Sequence, residues 1–410
     1  MRRQSPSKTL EGRLCPHFGL CGGCTTQDRP YDEQLAQKAS SLRELFSSYW
    51  DDSIDVVPSP CIHHYRNRVD FNFGRKFYDT PPPKDFVRET VLGFKRRGRW
   101  YQGFDVQECV IGPEGTSALL DAVREWARDG GLQGFDSRTR QGLLKILLVR
   151  EGKRTGQRMV VLITGDGPID GPSFVEAVQE AYPATSIHHA VSQSPAGVAF
   201  AEHTTVLRGE PSIEERLRVP SGREPGELRF RLSPFGFFQT NTLAAEHLYG
   251  GIREWVGGLS ATTLYDLYGG SGGIAMTCAG LVDRVVSVES VPAASEDGRH
   301  NVALNGISNV TFVTDKVKNY LRDLILEGEF CARDSVVIAD PPRPGLHPKA
   351  LRRLLELQPA HILYVSCKPP VLARDEMPSF LETYRLQAIK AFDMFPHTPH
   401  VEVMALLSLK

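Results

Sequence analysis

Five short apolar runs recur in the second half of the chain, at residues 263–267, 285–288, 310–313, 335–339 and 361–365, with helix-like stretches between them. Strands that alternate with helices point to a mostly parallel sheet covered by crossover helices. Residues 226–410 are therefore expected to form an α/β, doubly wound, Rossmann-like domain. Ligands of such sheets sit beyond the carboxyl ends of the strands. Here those ends carry Asp266-Leu267-Tyr268, Glu289, Asp315, Asp340-Pro-Pro-Arg343 and Ser366-Cys367.

The first half is less regular. Residues 31–49 read as one amphipathic helix, with Leu35, Leu42, Leu45 and Phe46 on one face and Lys38, Arg43 and Glu44 elsewhere. Within 64–110, Val69, Phe71 and Phe73 alternate with Asp70 and Asn72, the period of a half-buried strand. The prolines at 81–83 mark a loop, 115–129 a helix, and 143–149 and 159–163 two strands. Pro, Ser and Gly at 219–226 suggest a linker. Since 410 residues exceed what one core usually fills, three segments are expected. They are an N-terminal arm with a cysteine segment (1–30), a mixed α+β central domain (31–225) and the Rossmann-like domain (226–410).

The net charge of −1 announces no nucleic-acid partner. Local charge differs: residues 64–104 carry ten basic and four acidic side chains, a net of +6, among them Arg96 and Arg97, with Lys84 and Asp85 also counted. Tyr65, Phe94, Trp100 and Tyr101 are interleaved. Basic groups serve phosphates and aromatics serve unpaired bases, although a solvated charged face has the same composition. Residues 1–13 are polar and basic, and no apolar run reaches the length of a membrane span. A cytoplasmic protein with no membrane partner is expected, and nothing suggests more than a monomer. In that compartment clustered cysteines point to metal binding or catalysis rather than disulfides. Of the eight cysteines, Cys15, Cys21 and Cys24 have C-x5-C-x2-C spacing and Cys109 follows; four thiolates suit zinc or iron–sulfur. Cys61, Cys278 and Cys331 read as packing residues.

The strand-end motifs suggest chemistry. Asp266-Leu267-Tyr268 leads into Gly269-Gly270-Ser271-Gly272-Gly273, whose glycines allow close approach to a ligand or merely a tight turn. Glu289, about 20 residues on, can accept ribose hydroxyls. Asp315 is placed to hold an adenine amino group. With no strict G-x-G-x-x-G, a nucleoside cofactor such as S-adenosylmethionine, which has no phosphate, is favoured over a dinucleotide. Prolines hold Asp340 rigidly. Cys367 would face the crevice as a nucleophile, its pKa lowered by Lys368 or Arg374, or else be a small buried hydrophobe. Glu402, inside the apolar run 401–407, is either a base with a raised pKa or an edge-strand residue facing water.

Taken together, Cys15-Pro-His-Phe-Gly-Leu-Cys21-Gly-Gly-Cys24, Tyr65-Arg66-Asn67-Arg68, Phe237-Phe238-Gln239-Thr240-Asn241, Asp266-Leu267-Tyr268, Asp340-Pro-Pro-Arg343, Ser366-Cys367 and His400-Val401-Glu402 resemble the RNA uracil-C5 methyltransferase family, whose members modify tRNA or large-subunit rRNA. The resemblance runs from about Cys15 onward. It implies an S-adenosylmethionine-dependent enzyme with Cys367 as nucleophile and Glu402 as general base. It further implies that Gln239, Tyr268, Gly273, Glu289, Asp315 and Asp340 line the cofactor site, and that Cys15, Cys21, Cys24 and Cys109 hold a [4Fe–4S] cluster. RNA is the implied partner, with 23S rRNA expected and tRNA the alternative. Only 14 residues precede Cys15, so the N-terminal TRAM barrel of many relatives is expected to be absent. Two positions depart from the family pattern: Lys368 replaces the usual Asn after the nucleophile, and Gly273 stands where many members carry Asn. The competing readings are a methyltransferase acting on amino nitrogens, which needs no thiol, and a cluster-bearing RNA-binding protein without catalysis.

Overall fold

The computed structural model describes residues 14–410 apart from Pro81, Lys84, Asp85, Val87, Ser137, residues 195–198 and residues 222–223, and at Trp100, Ser221, Glu224 and Pro225 it describes the backbone alone. Lys84, Asp85 and the Trp100 side chain, counted in the basic stretch, and Pro81 of the proline loop thus lie outside the described residues. The chain forms two compact units. One comprises Met1–Tyr31, Cys61–Arg150 and Arg158–Glu210, and the other Asp32–Pro60, Glu151–Gln157 and Pro211–Lys410.

The first unit is built on seven strands: β2 (Arg68–Arg75), β3 (Thr90–Arg96), β4 (Arg99–Asp105), β5 (Leu144–Glu151), β6 (Arg158–Thr164), β7 (Ser186–Val191) and β8 (His203–Gly209). Their order is β4-β3-β2-β5-β6-β7-β8. The alternation read at 69–73 is real: Val69, Phe71 and Phe73 are buried and their neighbours half-buried. Helices α2 (Thr116–Asp129) and α3 (Gly171–Ala181) meet through Trp126 and Phe174, whose ring centroids are 4.9 Å apart. Both rings join a core with Phe71, Leu147 and Leu162.

The second unit holds β1 (Val56–Val57), β11 (Thr263–Leu267), β12 (Arg284–Glu289), β13 (Val310–Thr314), β14 (Ser335–Ala339), β15 (His361–Ser366), β16 (Tyr384–Phe392) and β17 (Glu402–Leu409). Their order is β1-β16-β17-β15-β14-β11-β12-β13. The five expected strands are β11 to β15, and they run parallel. β17 lies antiparallel to both β15 and β16. Helices α4 (Thr242–Gly257), α5 (Gly273–Cys278), α6 (Pro292–Leu304), α7 (Val317–Glu327) and α8 (Pro348–Leu357) connect or precede these strands.

Two expectations need correction. The linker expected at 219–226 is not one where it is described: residues 219–221 and 224–226 pair within a hairpin of β9 (Ile213–Ser221) and β10 (Glu224–Leu232), in register from Ile213↔Leu232 to Ser221↔Glu224, and both strands belong to the second unit. Glu215 disguised the strand. It is fully buried between Ile213 and Leu217, satisfied by the amides of Lys153, Arg154 and Arg216 and the hydroxyl of Thr242. The first helix, α1 (Tyr31–Phe46), also belongs to the second unit apart from Tyr31, not to the first. Its buried stripe is Gln34, Lys38, Leu42 and Phe46, so Lys38 lies inside. Lys38 donates to Asp393 at 2.7 Å and to the Phe395 carbonyl at 3.2 Å, and its side chain and that of Asp393 are 4% and 0% exposed.

A buried charge stripped of its partner is costly, whereas exchanging both partners for apolar groups is often neutral. Lys38→Met should therefore cost about 3–5 kcal/mol in urea denaturation, and Lys38→Met with Asp393→Leu should recover most of it. Equal losses in single and double variants would mean that apolar packing, not charge pairing, dominates this contact.

Candidate active site

Strand order reverses at β11 and β14. From β11 the chain proceeds outward through β12 and β13, and from β14 it proceeds the other way to β15. The crossover helices diverge at such a reversal and leave a crevice at the carboxyl ends of the strands. Tyr268, Glu289, Asp315, Asp340 and Cys367 all stand at these ends. Glu402 reaches the same edge because β17 runs backwards: Ser366, the last residue of β15, is opposite Val403.

The turn after β11 approaches β12 closely. The amides of Tyr268 and Gly269 donate to the Val288 carbonyl at 2.9 and 3.1 Å, and Gly270 N–H donates to Glu289 Oε2 at 3.1 Å. Gly272 has φ +87°, and a Cβ there would stand 2.8 Å from the Phe312 ring, so only glycine fits. Tyr268 shares the left-handed region, φ +67°, at a strain of about 1–3 kcal/mol that its surroundings must hold. The Phe237–Asn241 segment lies along this turn: Ser271 Oγ donates to the Phe237 carbonyl at 3.0 Å. Asn241 caps α4 and donates to Ser59 Oγ and the Met394 carbonyl. Gln239 is buried while Phe237 is 57% exposed. Gly273 opens α5 directly against the hydroxyl of Tyr249.

Glu289 Oε1 accepts from Val291 N–H at 2.7 Å. Asp315 Oδ1 accepts from Lys316 N–H at 2.6 Å and from Asn319 Nδ2 at 3.0 Å. Both carboxylates are thus fixed by their own loops on neighbouring strands, where Glu289 pairs with Thr314.

The centre of the crevice is crowded with acids. Asp266 is fully buried, accepts from Ser287 Oγ at 3.1 Å, and is pushed up to about 7 by burial. Burial and the Asp266 carboxylate push Asp340 up to about 7. Glu402 is 4% exposed, so it does not face water. Burial and Asp340 raise its pKa well above the carboxylate range, against the pull of Arg343. Its Oε2 is buried with no hydrogen-bond partner among the described residues. The Cys367 thiol is pushed up to about 11 by burial, Glu402 and Asp340, and Arg343 is the cation that opposes them. Lys368 and Arg374, expected to lower it, are both exposed.

The loop ahead of Glu402 is held by α1. Besides the Lys38–Asp393 pair, Gln34 accepts from His397 N–H at 2.9 Å, and its amide stands 3.3 Å from His397 Nδ1. Neither this clamp nor Tyr249 has a sequence signal: Lys38 reads as part of the polar face of the helix, and Gln34 and Tyr249 stand in no motif.

Cys15, Cys21, Cys24 and Cys109 belong to the first unit. Each of Cys15, Cys21 and Cys109 raises the pKa of Cys24, which burial carries to about 12. Backbone N–H groups point at the sulfurs: those of Ile111 and Gly112 at Cys109, of His17 and Val110 at Cys15, and of Gly23 at Cys21 (3.4 Å). Among the described residues no three His, Cys, Asp or Glu side chains already stand as a metal-holding group. In the basic stretch, Lys76 pairs with Glu89 and Arg68 with Asp70. Arg96, Arg97 and Arg99 remain exposed at the β3–β4 turn, and Tyr101, 44% exposed, carries Arg138 over its ring. No helix among the described residues is long and apolar enough to cross a membrane.

Five parallel strands reversing at the centre, with an antiparallel strand inserted beside the last, make up the methyltransferase variant of the doubly wound fold, and by class the chain is a methyltransferase. The model of the tRNA (uracil-5-)-methyltransferase family matches residues 197–410. The tRNA (uracil(54)-C(5))-methyltransferase of Pyrococcus horikoshii is 33% identical over 397 residues, 97% of this chain and 86% of that protein. An uncharacterized RNA methyltransferase of Caldanaerobacter subterraneus is 32% identical over 400 residues, 96% of this chain and 84% of the relative. The crystal structure of Pyrococcus abyssi tRNA (uracil-54, C5)-methyltransferase in complex with S-adenosyl-L-homocysteine superposes with a TM-score of 0.75 at 30% identity, covering 97% of this chain and 87% of that one. The chain belongs to the tRNA (uracil-5-)-methyltransferase family and is an RNA uracil-C5 methyltransferase.

The negative neighbours of Cys367 make a titration prediction. Alkylation of Cys367, followed by peptide mass spectrometry, should rise with pH toward a midpoint near 11. In Glu402→Gln, where one opposing charge is gone, the midpoint should fall. An unmoved midpoint would mean that the Glu402 charge does not reach the sulfur.

Proposed function

We propose that this enzyme takes its methyl group from S-adenosylmethionine and works through Cys367 as covalent nucleophile and Glu402 as general base. The observation that carries the reading is the convergence of a thiol and a buried, unpartnered carboxyl oxygen on one sheet edge, beside a glycine-rich turn flanked by Glu289 and Asp315.

The cofactor fits the chemistry of this edge. Gly272 lets the turn after β11 pack in the left-handed region against Phe312, which holds the turn beside Glu289. Glu289 and Asp315 are held by donors from one side and keep further lone pairs for ribose hydroxyls and an adenine amino group. Gln239, Tyr268, Gly273, Glu289, Asp315 and Asp340 would hold S-adenosylmethionine, which supplies an electrophilic methyl group when bound. The chain's own residues do the rest. Cys367 gives its proton to solvent, and the thiolate sulfur bonds to carbon 6 of the uracil, moving the ring's double-bond electrons toward carbon 5 and the carbonyl oxygen. Arg343 and Gln239 offer N–H donors to that oxygen. Once carbon 5 carries the methyl, Glu402 removes the carbon 5 proton, the carbon 5–carbon 6 double bond re-forms and the sulfur leaves. The raised pKa of Glu402 makes it the stronger acceptor for that proton. A stacked base cannot reach this edge, so the uridine must be flipped or unpaired, and exposed Phe237 offers a stacking face.

The RNA is tRNA or 23S rRNA. The amino-acid sequence favours rRNA, whereas the Pyrococcus horikoshii and Pyrococcus abyssi relatives are named for uracil 54 of tRNA. Deleting the gene and quantifying 5-methyluridine separately in rRNA and tRNA by mass spectrometry decides. Loss from one fraction, restored by wild type and not by Cys367→Ala, establishes substrate and nucleophile together; full restoration by Cys367→Ala would sink the covalent mechanism.

Two further assignments go with this reading. Cys15, Cys21, Cys24 and Cys109 would hold a [4Fe–4S] cluster: burial and then neighbouring thiols raise Cys15, Cys24 and Cys109, and backbone N–H groups point at the sulfurs of Cys15, Cys21 and Cys109, an arrangement that suits a cationic core. Anaerobic purification should give iron and sulfide in equal amounts with broad visible absorption, and zinc in their place would overturn the assignment. Arg96 and Arg97 would contact RNA phosphates. Arg96→Ala with Arg97→Ala should weaken RNA binding and flatten its salt dependence by about one unit of slope per lost contact; an unchanged slope would remove them from the interface.

A further inference from the structure

Tyr249 sits at the middle of the acid cluster and has no part in the mechanism above. It lies on α4, eight residues after the Asn241 cap, and is 5% exposed. Its hydroxyl is hydrogen-bonded by the side-chain amide of Gln239 and faces the carboxyl groups of Asp340, Asp266 and Glu402. A Cβ placed on Gly273 would stand 2.6 Å from that hydroxyl oxygen and 3.0 Å from two ring carbons. The phenol therefore occupies the volume that a side chain at position 273, on the first turn of α5, would otherwise fill.

We propose that Tyr249 is a positioning residue: delivered from α4 into the space left by Gly273, its hydroxyl fixes the side-chain amide of Gln239 toward the cofactor site. The physical need is specific. A primary amide has two nearly isosteric ends, one donor and one acceptor, and its rotation is costless unless a neighbour distinguishes them. Gln239 is buried and precedes the helix cap by only two residues, so its backbone is anchored while its amide depends on side-chain partners. Burial, and after it the surrounding carboxyl groups, push the phenol pKa up, so the hydroxyl keeps its proton across the working pH range and can accept from Gln239. Gly273 is the steric counterpart: any larger residue displaces the ring from this position.

This inference rests on the placement of Gln239 in the S-adenosylmethionine site. The test uses the full-length protein and calorimetric titration with S-adenosylhomocysteine. Tyr249→Phe keeps the ring and removes one oxygen, so its thermal midpoint should stay near that of wild type. Its affinity should fall roughly two- to ten-fold, the range of one net hydrogen bond. If the hydroxyl acts through Gln239, then Tyr249→Phe should add nothing in a Gln239→Leu background. In turnover KM for S-adenosylmethionine should rise, and kcat should fall with it, because Gln239 also offers a donor to the uracil oxygen. Wild-type affinity in Tyr249→Phe, or a full additional loss in the Gln239→Leu background, would overturn the proposal. Failure of wild type itself to bind S-adenosylhomocysteine would instead overturn the cofactor assignment on which it rests.

Discussion

β17 enters the sheet antiparallel to β15, with Val403 opposite Ser366. A parallel strand in that place would begin at the far edge and put its first side chain a full strand length from Cys367. Running backwards, it starts where the others end, and Glu402 arrives beside a thiol 35 residues earlier in the chain. The rest of the second unit serves this junction. The reversal of order at β11 and β14 opens the crevice in front of it, and the loop from Asp393 to His400 fixes where β17 begins.

The junction brings acids together with one facing cation. Asp266, Asp340 and Glu402 each resist ionisation through burial, and the Asp266 and Asp340 charges raise the pKa of the next acid. A carboxyl whose folded pKa is raised favours folding most fully below its unfolded pKa, and that contribution disappears as pH rises through the folded value. For Asp266 and Asp340 that window runs from about 4 to about 7. The crevice is thus most stable with its protons on, while the reaction requires some of them to leave. Strain concentrated at an active site, here with Tyr268 at positive φ, is how stability is commonly exchanged for readiness.

Much of this was legible in the amino-acid sequence because it followed periodicity. All five parallel strands, the turn at Gly269–Gly273 and the strand-end positions of Tyr268, Glu289, Asp315, Asp340 and Cys367 could be read from apolar runs and what ends them. Hidden elements were those whose buried faces are polar. Glu215 broke the pattern of β9, and in α1, whose existence was legible, Lys38 on the buried stripe was assigned to the polar side, because a satisfied buried charge looks like a solvated one until its partner is seen. Arg343 displaced Lys368 and Arg374 as the cation acting on Cys367 for a related reason: adjacency along the chain says little about which way a side chain faces once a strand has ended.

The clamp of α1 on the Asp393 loop joins residues 355 positions apart. At synthesis rates of about 5–20 residues per second, α1 waits tens of seconds for that loop to be made. During that time an amphipathic helix carrying a lysine on its apolar stripe has no counter-charge. A nascent chain in this state keeps Lys38 in water and the stripe unburied, and the second unit closes only after its last strands exist. High sequence separation of this kind slows folding, and it couples completion of the base-bearing strand to burial of the first helix. A chain that stops short of Asp393 forfeits its counter-charge for Lys38 along with Glu402.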